Sequence, residues 1–251
     1  MNNDNKNDSE SNPVKTGVDW EYSDLYPERR GNKHEKSWFR TMLGLDGKED
    51  LDKIKCERNV YWCLRNSPLV KIMLGALKSS GCEFDFRRHI SCEVCDSKVS
   101  GGYDPVLNQV VICQNVAKRK GYVQSVLTHE LIHMFDYCKN DLDFKNIYHL
   151  ACTEVRAANL AHCSFLSAWT YGTASPRNIK ERHKECVRQK ALTSVLALKN
   201  VTKDEALEAI NKVFPKCYDD LEPIGRRCRR NSPEFNLALT EAPLYGYEYR
   251  I

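Results

Sequence analysis

The apolar residues of the chain recur mostly at helical spacing, and the clearest such pattern lies near its middle. Between about Gly121 and Cys138 they fall three and four positions apart, which predicts a helix with one buried face. The residues of this face are Val123, Val126, Leu127, Leu131, Met134 and Phe135. We predict further helices over about residues 50–65, 67–81, 147–167, 175–199 and 202–214. The last of them should end before Pro215.

Local signals mark where three of these helices begin. Ser67-Pro68 has the pattern of an N-cap residue followed by the first helical residue, and Ser175-Pro176 repeats it. The segment from Thr202 to Glu205 has the spacing of a capping box, in which two side chains each satisfy a backbone N–H group. These signals make the helix starts more certain than the helix ends.

Two shorter stretches favour strands. Residues 109–113 form a β-branched run directly ahead of the central helix, and we predict a strand of a small sheet there. Within residues 82–95, Phe84 and Phe86 alternate with charged residues, which indicates another strand. Residues 100–105 between them carry the glycine and proline chemistry of a turn.

By composition the chain divides into three segments. Residues 1–36 are polar with few apolar side chains, so we expect a disordered tail. Residues 37–224 contain the periodic patterns and form one domain, which begins with an apolar patch at 37–45 that docks on the core or on a membrane. Residues 225–251 show no clear period, and we expect an irregular tail.

Overall composition narrows the class of protein without fixing it. At 251 residues the chain is long enough for a substantial core. Its apolar runs, such as 69–77 and 191–198, are far too short to span a bilayer. Residues 1–15 show neither a signal peptide nor an arginine-rich presequence. The net charge of +4 allows an anionic membrane or a nucleic acid as a partner but demands neither.

Twelve cysteines are many for a reducing compartment. They are Cys56, Cys63, Cys82, Cys92, Cys95, Cys113, Cys138, Cys152, Cys163, Cys186, Cys217 and Cys228. An even number spread along the chain favours disulfides and an oxidising compartment. The alternative is a structural zinc site on Cys92 and Cys95, but such a site needs a second Cys or His pair, and the sequence has no second C-x-x-C.

The central helix carries the motif His129-Glu-Leu-Ile-His133, which reads H-E-x-x-H. Four residues make about one helical turn, so both imidazoles project from one side and can reach a single Zn²⁺ ion. Glu130 lies beside the pair, where it can take a proton from an attacking water molecule. The motif predicts a zinc-dependent peptidase with an α+β, zincin-like fold: mostly helical, with a small sheet ahead of the active-site helix.

A catalytic zinc ion needs a third protein ligand, and three residues compete for that role. Glu154 on the following helix is the preferred candidate, because a glutamate from a packed antiparallel helix completes a His₂Glu set. Asp136 lies on the motif helix three residues after His133, and His149 lies on the helix of Glu154. If it is not a ligand, Asp136 could accept a hydrogen bond from a ligating imidazole, and His149 could line the cleft.

Two further features of a peptidase site remain open in the sequence. Tyr148, His149 and Arg156 are each candidates for the group that stabilises the oxyanion. Residues 109–113 either line the cleft and pair with an extended substrate or form an ordinary buried strand.

Several motifs along the chain together point to one known family. They are Cys92-x-x-Cys95, Ser100-Gly-Gly-Tyr103, Cys113-Gln-Asn115, residues 125–133, Phe135-Asp136, His149 to Ala157 and His183 to Arg188. Over about residues 56–217 the chain resembles the mitochondrial inner-membrane metalloproteases and chaperones of ATP synthase assembly, also called Ku-binding protein-like zinc proteases. Residues 225–251, with the basic run 226–230, have no counterpart in this resemblance.

The resemblance implies residue roles, a compartment and partners. It assigns the metal histidines to His129 and His133 and the catalytic glutamate to Glu130. It also implies peripheral attachment to the mitochondrial inner membrane on the intermembrane-space side, a compartment that suits the cysteine count. The implied client is the precursor of ATP synthase subunit a (subunit 6), which the family processes and helps to assemble, with other assembly factors as further partners.

Two alternative functions follow from the same features. One is an assembly chaperone that uses zinc mainly as structure and cleaves little. The other is a nuclear zinc protease linked to DNA repair, suggested by the Ku-binding name. The cysteine content and the lack of a clear DNA-binding module count against it, so we expect no nucleic-acid partner.

Overall fold

The computed structural model describes residue 26 and residues 45–163, 178–228 and 232–248. The helices are α1 (Leu45–Asn66), α2 (Pro68–Ser79), α3 (Phe86–His89), α4 (Lys120–Lys139), α5 (Ile147–Ala157), α6 (Ile179–Leu198), α7 (Lys203–Asp219) and α8 (Glu234–Glu241). The strands are β1 (Ile90–Glu93), β2 (Gly101–Asp104) and β3 (Gln109–Cys113). A π-helical turn at Ala158–His162 continues α5, and a 3₁₀ turn at Ala242–Tyr245 continues α8. The α+β prediction, mostly helical with a small sheet before the motif helix, is confirmed.

The strands form one sheet in the order β1-β3-β2. β3 pairs in parallel with β1, placing Ile90 opposite Val110, and antiparallel with β2, placing Gly102 opposite Val111. Both sides of β3 are therefore occupied, and its residues from Val110 to Cys113 are buried. Among the described residues, β2 is an edge strand.

Apolar side chains gather in two main cores on either side of the junction between α4 and α5. One core is formed by α1, α2, α4 and the sheet, and the other by α5, α6 and α7. α4 packs against both α2 and β2 and also contacts α5. The motif helix thus contributes its apolar face to the first core and also contacts α5, a helix of the second core.

Both N-terminal signals that fall within the described residues act as the sequence predicts. The Ser67 hydroxyl accepts a hydrogen bond from the Val70 N–H at the start of α2. At the start of α7, the Thr202 side chain accepts from the Glu205 N–H and the Glu205 carboxylate accepts from the Thr202 N–H, which completes the capping box. Four predicted features lie outside the described residues. They are the start signal Ser175-Pro176, the end of the helix predicted over 147–167, the apolar residues 37–44, and the 1–36 segment apart from residue 26.

The structure corrects two predicted elements. Phe84 and Phe86 do not form a strand: the Asp85 side chain accepts from the Arg87 N–H and caps the single turn of α3, so the strand begins only at Ile90. Pro215 does not end α7, which continues to Asp219. Proline lacks only one backbone donor, its ring is exposed here, and a disulfide holds the following turn through Cys217.

The prediction of an irregular segment over 225–251 is also wrong for part of its length. α8 packs on α2, and its Ala238 is buried in the first core together with Ala242 of the 3₁₀ turn. Arg226 forms an ion pair with Glu241, which ties the connection to the end of α8. The apolar residues of this helix were too few for their period to be recognised.

Ten of the twelve cysteines are paired, which confirms the disulfide interpretation. The pairs are Cys56–Cys92, Cys82–Cys138, Cys95–Cys113, Cys152–Cys217 and Cys163–Cys186. Because Cys92 and Cys95 bond to different partners, they do not form the alternative zinc site. Cys63 and Cys228 are free thiols.

No helix among the described residues combines the length and apolar content needed to cross a membrane. The apolar runs of α2 and α6 serve the protein core instead.

The disulfide set predicts the result of thiol labelling. When the protein is unfolded without reductant and alkylated, only Cys63 and Cys228 should be labelled. In the folded protein Cys63 should also react slowly, because burial raises its pKa to about 12 and leaves little thiolate. Mass spectrometry of the labelled peptides measures both results, with fully reduced protein as the control. Labelling of both Cys92 and Cys95 in unreduced protein would contradict the pairing.

Candidate metal and catalytic site

A cavity of about 770 Å³ opens between the two cores. β2 and its neighbouring residues form one wall, and α4, α5 and α6 supply the others. Its lining includes His129, Glu130, His133, Glu154 and His162. Four residues selected from the sequence therefore lie together, along with one histidine that was not selected.

The two motif histidines and Glu154 converge on one point in this cavity. His129 Nε2 lies 3.0 Å from His133 Nε2. The Glu154 carboxylate places Oε2 3.6 Å from His129 Nε2 and Oε1 3.5 Å from His133 Nε2. Helix α4 supplies both imidazoles one turn apart, and the antiparallel contact with α5 brings the carboxylate. Three atoms of this kind at one point form the donor set of a His₂Glu zinc site.

The surroundings of Glu154 fit a bound cation. Its side chain is 2% exposed, and within the described residues its Oε2 atom has no hydrogen-bond partner. Burial raises its pKa to about 8, against a smaller opposing effect of the Ser194 hydroxyl. Burial and the neighbouring Glu154 likewise raise the pKa of Glu130 well above its usual range. Two carboxyl groups held together out of water ionise readily only when a cation lies beside them.

The two imidazoles are held in the neutral form that metal binding requires. Burial, followed by electrostatic repulsion from His133, His162 and Lys190, lowers the pKa of His129 well below its usual range. Burial and His162 lower the pKa of His133 to about 3. A neutral imidazole keeps one nitrogen lone pair available for a metal ion.

A short chain of hydrogen bonds fixes which nitrogen of His133 is available. The Thr153 hydroxyl donates to Asp136 Oδ2 over 2.7 Å and lies 2.9 Å from His133 Nδ1. Because that hydroxyl has a single proton, it must accept from His133 Nδ1–H. The lone pair of His133 is therefore on Nε2, facing Glu154. Asp136 is thus connected to the His133 imidazole through the Thr153 hydroxyl and does not lie at the proposed metal position.

Asp136 is held there by Arg156. The guanidinium Nη2 lies 2.9 Å from Asp136 Oδ1, and Nε donates to both carboxylate oxygens. Both side chains are at most 4% exposed, so each needs the other as its charge partner. Arg156 also donates to the Glu222 carbonyl and contacts Asp220. These bonds direct it away from the cavity lining, so it does not occupy an oxyanion position in this structure.

β2 lies directly against α4, beside Glu130, because it has a glycine where the two elements meet. A Cβ atom at Gly101 would lie 2.4 Å from Val126 Cγ1, 2.7 Å from the Val111 carbonyl and 3.6 Å from Glu130 Oε1. Any side chain there would force β2 away from α4. Gly101 therefore allows the close approach of the strand to Val126 of α4.

The strand beside the cavity is β2 and not β3, so of the two alternatives for residues 109–113 the structure shows the ordinary buried strand. β3 is the central strand and does not line the cavity, whereas residues 100–103 do. The Cys113 N–H donates to the Ser100 carbonyl, so alternate residues of β2 direct their backbone groups away from β3. Gly101 is one of these, and its carbonyl accepts a 2.7 Å hydrogen bond from the Tyr26 hydroxyl.

Tyr148 and His149 lie outside the cavity lining, which corrects their proposed roles. Their positions at the start of α5 put them more than a turn before Glu154. The Lys212 ammonium lies 4.3 Å from the centre of the Tyr148 ring, on the α7 side of the helix. The exposed His149 accepts a hydrogen bond from the Asp143 N–H through Nδ1 and serves the loop before α5.

Thr153 and His162 are the two residues of the site that the sequence analysis did not select. Thr153 precedes Glu154 directly, and a small hydroxyl beside a candidate ligand is the signal that could have indicated it. His162 is eight residues after Glu154. In a regular α-helix a residue eight positions later would point about 80° away from Glu154. The π turn holds one extra residue, so eight positions span about two turns and His162 returns to the side of Glu154.

The chain is similar to peptidases of one family. Residues 54–225 match the peptidase M76 family. The chain is 42% identical over 207 residues to the "Mitochondrial inner membrane protease ATP23 homolog" of Danio rerio, covering 80% of this chain and 76% of the relative. It is 44% identical over 177 residues to the protein of the same name from Homo sapiens, covering 68% and 70%. It is 34% identical over 177 residues to the "Mitochondrial inner membrane protease ATP23" of Saccharomyces cerevisiae, covering 68% and 77%. No solved structure matches the chain.

Replacing Arg156 tests the buried ion pair. Arg156→Met should lower the free energy of unfolding by about 3–5 kcal/mol, because it leaves the Asp136 carboxylate buried without its partner. Denaturant unfolding in EDTA measures this without a contribution from metal. Lys184→Met is the matched control: Lys184 pairs with the exposed Glu181, and its loss should cost less than about 1 kcal/mol. Equal effects of the two variants would contradict the role of the pair.

Proposed function

Because the chain belongs to the peptidase M76 family, we propose that it is a zinc-dependent endopeptidase of the mitochondrial inner membrane. The convergence of His129 Nε2, His133 Nε2 and the Glu154 carboxylate within 3.6 Å carries the proposal. Glu130 belongs to the same cluster, since its carboxylate lies within 4.8 Å of the ligand atoms of both histidines. The three ligands leave a position open for substrate or water, as hydrolysis requires.

In this proposal the residues of the site divide the work of peptide hydrolysis. His129, His133 and Glu154 hold zinc, which supplies a Lewis acid that polarises the scissile carbonyl and acidifies water. Glu130 accepts a proton from the attacking water on its carboxylate and passes it to the nitrogen of the leaving amine. Thr153 and Asp136 keep the proton of His133 on Nδ1, so that Nε2 stays available.

The edge of β2 supports a way to bind the substrate backbone. Gly101 and Tyr103 direct their backbone groups away from β3, and both residues line the cavity. An extended peptide can pair with this edge and bring one of its carbonyls over the metal position. The Tyr26 hydroxyl now bonds the Gly101 carbonyl, so a substrate N–H would take the place of that hydroxyl.

For the client we propose the precursor of ATP synthase subunit a (subunit 6), with the protein facing the intermembrane space. The resemblance of the motif stretches supports the client, and the printed names of the relatives support the membrane. Five disulfides support an oxidising compartment. The names of these relatives do not support a nuclear protease.

A second role, in assembly of the client, is favoured by the outer face of α1. Leu51, Ile54 and Tyr61 have 56%, 60% and 51% of their surfaces exposed and follow helical spacing along one stripe. An exposed apolar stripe of this kind suits peripheral contact with the membrane in which a hydrophobic client resides. Such contact requires no proton transfer, so it is separable from cleavage.

The metal ligands can be tested by metal analysis. We expect one zinc ion per chain in the wild type, no zinc in His129→Ala or His133→Ala, and weaker binding in Glu154→Gln. Mass-spectrometric metal analysis of purified proteins after dialysis measures the content. His149→Ala is the matched control, because His149 lies outside the cavity and should retain full zinc. Full zinc in Glu154→Gln together with loss in Asp136→Asn would overturn the assignment of the third ligand.

Replacing Glu130 separates cleavage from assembly. Glu130→Gln keeps the shape of the side chain but removes the base, so zinc content should stay normal while peptide cleavage falls by orders of magnitude. Cells with only this variant should accumulate any unprocessed client yet still assemble ATP synthase to a substantial degree. The N-terminal sequence of subunit a and native-gel quantification of the synthase are the measurements. Loss of assembly as complete as in a deletion, at normal protein level, would remove the assembly role.

A further inference from the structure

A line of polar contacts leads from His129 on α4 to His162 on the π turn and back to Ser125 on α4. His162 Nε2 lies 2.9 Å from His129 Nδ1, on the side of the ring opposite the proposed metal position. Ser125 Oγ lies 3.2 Å from His162 Nδ1. Neither His162 nor Ser125 has a role in the hydrolysis proposed above, yet both line the cavity.

The backbone is built to hold His162 at this place. The Cys163 N–H donates to the Ala158 carbonyl over 2.8 Å, which is the five-residue hydrogen bond of a π turn. Cys163 is also bonded to Cys186 of α6, so the end of the turn is fixed covalently. A π turn costs favourable helix geometry and recurs at functional sites, where it redirects a side chain. Here the side chain that it redirects is His162.

The proton positions along this line follow from the other end of the network. His133 carries its proton on Nδ1, because the Thr153 hydroxyl is committed to Asp136. If no metal ion is bound, His133 Nε2 can only accept the hydrogen bond across 3.0 Å, so His129 would donate it from Nε2. His129 Nδ1 then accepts from His162 Nε2–H, and the Ser125 hydroxyl donates to His162 Nδ1.

If a metal ion binds His129 Nε2, the protons of His129 and His162 must both be on the Nδ1 atoms. The His129 proton must then reside on Nδ1, and the atom that faces it at 2.9 Å is His162 Nε2. His162 can accept that proton's hydrogen bond only as the Nδ1–H tautomer, and Ser125 Oγ is in place to accept from its Nδ1. The same three residues thus satisfy both states with no change in net charge.

We propose that His162 is a positioning residue for His129: it accepts the hydrogen bond of His129 Nδ1–H and so directs the Nε2 lone pair to zinc. The inference rests on the proposed function. It gives His129 the support that Thr153 and Asp136 give His133, but from a neutral acceptor. Such outer partners fix the tautomer and orientation of a ligating ring, and their loss typically weakens metal binding roughly 10–100-fold.

Zinc affinity of the purified protein tests this role without reference to activity. His162→Ala should raise the zinc dissociation constant, measured by competition with a chromophoric chelator, roughly tenfold or more. His162→Gln should restore most of the affinity, because the amide oxygen can accept from His129 Nδ1–H. The cobalt-substituted proteins supply a second readout: the visible d–d bands should change in His162→Ala and remain close to wild type in His162→Gln.

Two further variants control the experiment. His149→Ala removes an exposed imidazole outside the cavity and should leave zinc affinity unchanged. Ser125→Ala keeps His162 but removes its partner, and it should weaken zinc by a smaller factor than His162→Ala. Thermal unfolding in EDTA verifies that each variant is folded. If His162→Ala does not fold, the zinc affinities of Ser125→Ala and His162→Gln are compared instead.

The outcomes separate this inference from the proposed function. If the wild type binds zinc tightly and His162→Ala binds it equally well, the positioning role is wrong and the proposed function stands. If zinc affinity falls equally in His162→Ala and His162→Gln, the role is also overturned, because a hydrogen-bond acceptor at this position would then not affect zinc binding. If the wild type binds no zinc at all, the proposed function itself fails.

Discussion

The buried ion pair between Asp136 and Arg156 is the interaction on which the site depends most. Asp136 belongs to the motif helix α4 and Arg156 to α5, so the pair sets how the two helices lie against each other. Each charge is nearly inaccessible to water and would be costly without its partner. The same carboxylate accepts from Thr153, which orients His133. A single electrostatic contact therefore holds α4 against α5 and, through Thr153, sets the tautomer of His133, a proposed ligand.

A second constraint acts from the other side of the cavity, where β2 lies directly on α4. Gly101 allows this approach because its missing Cβ leaves room for Val126. The strand consequently places its outer edge, where the Tyr26 hydroxyl bonds the Gly101 carbonyl, beside the proposed base. The ion pair and the glycine contact are independent of each other. The ion pair holds α4 against α5, and the glycine contact lets β2 lie against α4 beside Glu130.

The parts of this structure that follow from local chemistry were predictable from the sequence. The spacing of His129 and His133 needs only one helical turn, and the caps at Ser67 and Thr202 need only adjacent residues. The identity of the edge strand was not predictable, because it depends on how β1, β2 and β3 pair, and the run at 109–113 signals only burial. The position of His162 depends on a π turn that leaves no mark in hydrophobic spacing. Helix α8 escaped detection because its stability comes from packing on α2 and not from its own pattern.

The disulfides connect the compartment of the protein to the geometry of its site. Cys152–Cys217 joins α5 to α7, Cys82–Cys138 joins the loop after α2 to the end of α4, and Cys163–Cys186 fixes the π turn to α6. These three bonds bracket the helices that carry the ligands, so each constrains the unfolded chain and also limits how far a ligand helix can shift. Cys163 donates the five-residue hydrogen bond of the π turn, and its disulfide ties the same residue to α6. The disulfides thus constrain the backbone segments that hold the side chains of the proposed site.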